Sequence, residues 1–108
     1  MNGKEFDIVV EERLKKTVAT LLVKAKEYRR NDDAMHNFDK AAQLGNTTRE
    51  KALWGFALKH YVSFMDILDD MDKGHLPTES HIDEKIGDLI NYLILCEASI
   101  KDKIRSVE

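Results

Sequence analysis

Apolar residues three and four positions apart, sustained over three long stretches of a chain with a single proline, Pro77, restrict this protein to helices. That spacing lines up side chains on one face of an α-helix. A half-buried strand would need strict alternation, and no alternating stretch is present. The expected architecture is therefore an all-α bundle of three long helices and one short helix, a single domain over residues 1–108. The first helix is predicted from about Lys4 to Arg29, burying Val10, Leu14, Val18, Leu21, Ala25 and Tyr28. "RRNDD" breaks it, because Asn and Asp compete for backbone hydrogen bonds in turns. A short helix from about Ala34 to Leu44 turns Phe38, Ala41 and Ala42 inward, and Gly45 is expected to end it in the left-handed conformation. Thr47 and Glu50 fit a capping box for the third helix, which runs to about Asp72 and stops at Gly74. Leu53, Phe56, Ala57, Tyr61, Phe64, Leu68 and Met71 form its apolar arc. Ser80 and Asp83 resemble a second capping box before the last helix, about His81 to Arg105. Its main buried face is read as Ile82, Ile86, Leu89, Leu93, Ile100 and Ile104. Tyr92, Leu95 and Cys96 add apolar surface on the other side. A helix apolar on two sides needs two partners, and the second could be another helix of the chain or a second copy of the protein.

A chain of 108 residues has room for one domain and buries roughly two thirds of its unfolded surface. Four helices make a thin core at this size, so a homo-oligomer is expected. The net charge of -3 comes from 17 basic and 20 acidic residues. Without a basic excess, broad binding to nucleic-acid backbones is disfavoured, whereas a small phosphorylated ligand needs only a local cluster. The lone cysteine, Cys96, allows no disulfide within the chain, which fits a cytoplasmic location. Set among Leu93 and Leu95, it reads as a small buried hydrophobe in preference to a reactive thiol. The opening "MNGKEFDIVVEERLKK" lacks the apolar run of a signal peptide. The longest apolar run, "YLILC", falls far short of the ~20 residues that span a membrane.

Few residues suggest chemistry. Glu84, Asp88 and Asn91 recur at i, i+4 and i+7 in "DEKIGDLINYLIL", one above another on a helix face. Stacked carboxylates suit a hard cation such as Mg2+; equally, such a stripe serves as a solvated face or a helix contact. Tyr92 and Leu95 flank it and argue for shelter from bulk water. His60 points within the apolar arc of its helix, as a core histidine or as a donor to a ligand between helices. Lys59 beside it would supply a point charge. Asn37 in "HNF" suits a base or a backbone carbonyl equally. His36, His75 and His81 have no zinc-ligand spacing with cysteines, and no phosphate-binding glycine loop or serine-nucleophile motif is present.

Three segments, "NDDAMHNFDKAA", "ALWGFALKHYVSFMDIL" and "IDEKIGDLINYLIL", together resemble the nucleotide modification associated domain proteins, small proteins common in bacteriophage genomes. The resemblance covers roughly residues 25 to 97. The order of motifs is similar to that of the MazG-like all-α nucleoside triphosphate pyrophosphohydrolases, which hold Mg2+ with E-x-x-E on one helix and E-x-x-D on the next. Asp88 matches the aspartate of that pattern. Lys85 stands three residues before it in place of a glutamate, with Glu84 one residue off. His60 and Ser63 fall where the two glutamates of the earlier helix belong. The resemblance thus implies a metal set thinned from four carboxylates to one or two. Lys59, His60 and Lys85 could meet phosphate charge in place of the metal. Nucleotide binding without hydrolysis is therefore expected, by Lys59, His60, Ser63, Lys85, Asp88, Asn91, Tyr92 and Asn37. Glu84 and Asp88 would hold Mg2+ if a cation is used. In a phage-infected bacterium such a protein would sequester a modified nucleotide or a nucleotide immune signal, an anti-defence role. The alternatives are a Mg2+-dependent pyrophosphohydrolase of MazG-like type, or a helical protein-interaction or inhibitor module without a small ligand.

Overall fold

The apolar periodicity resolves into four helices in a computed structural model that describes residues 1–107. They are α1 (Gly3–Tyr28), α2 (His36–Leu44), α3 (Arg49–Asp72) and α4 (Glu79–Ser106), with no strand among the described residues. The expected all-α class holds. Helix α3 and helix α4 run antiparallel, since Arg49 at the start of α3 meets Ser99 and Asp102, while His60 farther along meets Asp88. Gly74, at φ 87°, makes the turn after α3 that a side chain would strain.

Three helix ends differ from the sequence reading. The N-cap of α3 is Thr48, whose hydroxyl accepts from the Lys51 amide, so Glu50 lies one position too early for a capping box. The N-cap of α4 is Thr78, accepting from the His81 amide, and not Ser80. Gly45 stays right-handed at φ -86°, while Asn46 takes the left-handed turn at φ 51°. Asn tolerates that region because its short polar side chain can bond locally. Thr48→Ala should therefore cost about 1 kcal/mol and Thr47→Ala close to nothing, measured by urea denaturation. An equal loss for both would reject this placement of the cap.

Packing follows the predicted faces only in part: Phe38, Ala42, Leu53 and Ala57 are buried and Tyr28 packs on the core, but α1 and α4 also use other faces. Against α4, α1 presents Arg13 and Thr17, not the expected stripe; Leu14 and Val18 remain 61% and 58% exposed. The reason is polar and local. The guanidinium of Arg13 donates to the Asp83 carbonyl at 2.9 Å, and the Lys16 ammonium donates to the Asp83 carboxylate at 2.8 Å. The Lys16 hydrogen bond holds the Asp83 carboxyl below its usual range. Gly87 makes room for this contact, because a Cβ there would stand 2.7 Å from Arg13 Nη1. On α4, Tyr92, Leu95 and Cys96 pack inward, while Leu93, Ile100 and Ile104 of the expected main face stay open.

The core centres on Leu53, Phe38 and Met35. Tyr28, Phe38, Phe56 and Tyr92 form a chain of ring contacts through it, with successive centroids 4.9, 6.2 and 5.9 Å apart. Such tilted, edge-on and offset geometries are those the ring quadrupoles favour. Burial raises the pKa of the Cys96 thiol, with the Glu50 charge adding to it, so the thiol stays protonated as its reading as a hydrophobe requires.

Near the end of α4 a polar clasp replaces apolar contact. Ser99 is fully buried; its hydroxyl donates to Glu50 at 2.6 Å and accepts from Arg49 Nε at 2.7 Å. Arg49 also reaches Asp39 of α2 at 3.3 Å and Asp102 at 2.9 Å. Burial works against the Arg49 charge, but Asp102, Asp39 and Glu50 outweigh it and raise its pKa. One guanidinium thereby joins three helices.

Candidate functional site

Helix α3 carries His60 toward α4, where its ring stacks on Tyr92 at 5.3 Å and 19° between planes. Nδ1 of His60 lies 3.6 Å from Oδ2 of Asp88. That distance gives an ion pair whenever the imidazole is protonated, but is too long for a good hydrogen bond. Both side chains are about one quarter exposed, so the pair is sheltered yet reachable. Phe56 stacks against Tyr92 at 5.9 Å and closes the apolar end of the group.

Tyr28 at the end of α1 packs on the same core, its ring against Phe38. Burial raises its pKa, and charges on Tyr92, Glu27 and Asp88 raise it further. For Tyr92 the causes are burial and then Asp88. Both phenols are therefore neutral at physiological pH. Tyr28 thus keeps the core position its spacing predicts.

The remaining expected residues divide. Asn91, only 5% exposed, has no hydrogen-bond partner at its side-chain oxygen. Thr17 of α1, also buried, has an unpartnered hydroxyl. They lie one turn beyond Gly87 and Arg13 respectively, the point where α4 and α1 meet. Ser63 and Lys85 are half-buried; Lys59 and Glu84 are exposed. Neither Lys59 nor Lys85 is engaged in an ion pair among the described residues. The Asn37 amide donates to the Glu27 carbonyl at 3.2 Å, so it fastens α2 to the end of α1. The structure thus brings His60, Asp88 and Tyr92 together, buries Asn91 beside them on α4, and leaves Asn37 at a helix junction.

No three His, Cys, Asp or Glu side chains converge in a way that could hold a metal among the described residues. The separation of Glu84, exposed, from the sheltered Asp88 accords with that. A cleft of about 420 Å³ opens one turn earlier, between α1 and the start of α4, lined in part by Val9, Glu12, Arg13, Ile82 and Ile86. It includes none of the residues singled out from the sequence as ligand-binding. No helix is long and apolar enough to cross a membrane among the described residues. Comparison of the chain with protein-family models, with curated proteins and with solved structures finds no match.

Proposed function

We propose that the protein binds a nucleotide or a nucleotide-derived small molecule at the His60–Asp88–Tyr92 group, acting as a homo-oligomer in the bacterial cytoplasm. The observation that carries this reading is the stacked, quarter-exposed His60 beside the Asp88 carboxylate. An imidazole and a phenol supply flat surface and donors for a base or ribose. A nearby carboxylate accepts from ribose hydroxyls or base amines. Lys59 and Lys85 remain free for phosphate charge. With one aspartate where the MazG-like enzymes use four carboxylates, little Mg2+ affinity is available, so binding proceeds without turnover. On the family resemblance, the role is sequestration of a modified nucleotide or nucleotide signal during phage infection. The open apolar helix faces favour a second reading, a protein-interaction or inhibitor module, over the pyrophosphohydrolase.

Calorimetric titration with a panel of nucleoside mono-, di- and triphosphates and cyclic dinucleotides, with and without Mg2+, tests the proposal. Binding is expected with no pyrophosphate release, and Asp88→Ala should weaken it at least tenfold while the apo protein stays folded. Robust Mg2+-dependent pyrophosphate release, abolished by Asp88→Asn, would promote the enzyme. No binding to any of the panel would leave the interaction module.

A further inference from the structure

The isolated chain is too open for its size. Its accessible surface is 8142 Å², whereas a compact monomer of this mass exposes roughly 6,200 Å². Its radius of gyration is 16.4 Å, against about 13 Å for a compact domain of this length. The excess of about 2,000 Å² per chain falls in the range that obligate subunits bury between them.

Part of the exposed surface of α3 and α4 is apolar and regularly spaced. On α3, Trp54, Leu58, Tyr61, Met65 and Leu68 follow four-three-four-three spacing and are all 41–48% exposed. This is the heptad seam of helices that pack against other helices. On α4, Leu93 and Ile100 stand seven residues apart with Ile104 four beyond, and all three are 48–51% exposed. The two stripes share one side of the hairpin. Phe56 meets Phe38 of α2, and Trp54 and Leu58 each lie two residues from it, roughly 160° around the helix. Gly87 meets Arg13 of α1, and Leu93 and Ile100 point more than about 100° away from it. In an antiparallel pair these rotations have the same sense, so both stripes face away from α1 and α2.

We infer that a second copy of the chain docks on this α3–α4 face, giving a two-layer, four-helix interface with two-fold symmetry. The inference rests on the homo-oligomer reading above and names the surface that makes it. A two-fold interface must complement itself, and two uncharged heptad stripes side by side do so. Glu97 and Lys101, beside the α4 stripe, pair with each other and leave no net charge to repel a second copy. The exposed apolar row of α1, with Leu14, Val18 and Leu22, lies on a single helix, whereas the α3–α4 face offers two stripes side by side, and the proposed seam lies there.

Light scattering on the full chain, with Leu58→Glu, Leu93→Glu and Val18→Glu alongside, tests this. Wild type and Val18→Glu should have twice the chain mass at micromolar concentration. Leu58→Glu and Leu93→Glu should weaken dimerisation at least a hundredfold. Should those two variants lose helical circular dichroism, Trp54 in the wild type provides the second measurement. Its emission should be blue-shifted and shielded from acrylamide where the dimer predominates, and become quenchable on dilution. A monomeric wild type with a freely quenched Trp54 would overturn the oligomer reading itself. A wild-type dimer dissociated by Val18→Glu but not by the other two would overturn only this surface.

Discussion

Leu53→Ala is expected to lower the unfolding free energy by about 3 kcal/mol, within the range for truncating a well-packed aliphatic core residue. Leu53 is 0% exposed and sits among Phe38, Met35 and the rings of Phe56 and Tyr92. Its removal forfeits transfer free energy and leaves a cavity the surrounding rings cannot fill without disturbing their contacts. The reference total for a domain is only about 5–15 kcal/mol, so this one change takes a large share. Thermal denaturation at fixed protein concentration should show the midpoint falling by more than about 10 °C. The same truncation at exposed Leu44 should shift it by no more than a degree or two. A Leu53→Ala midpoint within that small range would show that the core lies elsewhere.

The second large effect belongs to the clasp on Arg49. Arg49→Ala removes the shared cation from Asp39, Glu50 and Asp102 and one partner from the buried Ser99 hydroxyl. The carboxylates are partly exposed, which screens them, so the expected cost is about 2 kcal/mol and not the larger value of a fully buried pair. Ser99→Val should cost less than Ser99→Ala if packing alone matters, and as much or more if the hydroxyl bridge matters; the clasp predicts the latter. Its pH dependence has a definite sign. The Ser99 hydrogen bond, aided by Lys103 and Arg49, holds the Glu50 carboxyl below its ordinary range. A carboxyl with a lowered folded-state pKa contributes stability above its unfolded value and loses it as the pH falls through the lowered one. Urea midpoints should therefore fall in the acid range below the ordinary glutamate value, and Glu50→Gln should flatten that part of the curve. An unchanged acid limb in Glu50→Gln would remove Glu50 from the clasp.

The clasp leaves only a faint trace in the sequence. Arg49, Glu50, Ser99 and Asp102 lie about fifty residues apart in two groups, and each alone looks like an ordinary surface residue or cap. Only the antiparallel pairing of α3 with α4 sets one group against the other. His60 was more legible, because a polar side chain on an apolar arc stands out against its neighbours. That it stacks on Tyr92 beside Asp88 depends on the relative height of the two helices, which spacing within either helix does not encode. Asn91 and Glu84, expected on one stripe, parted. The first is buried, while the second, nearly two turns earlier, remains exposed.

From the sequence alone came the number of helices, their approximate limits and the all-α class, because a 3.6-residue period, breakers and caps act locally. The stretch "LINYLILC" was also legible as a helix apolar on two sides. Which of those sides would turn inward was decided only in three dimensions. Hydrophobicity has no direction, so periodicity cannot rank two apolar faces of similar strength. The observed arrangement pairs Arg13 and Lys16 with Asp83 beside Gly87, and Arg49 with Ser99 and Asp102. In that rotation of α1 and α4, Tyr92, Leu95 and Cys96 face the core and the longer row through Leu93, Ile100 and Ile104 faces outward.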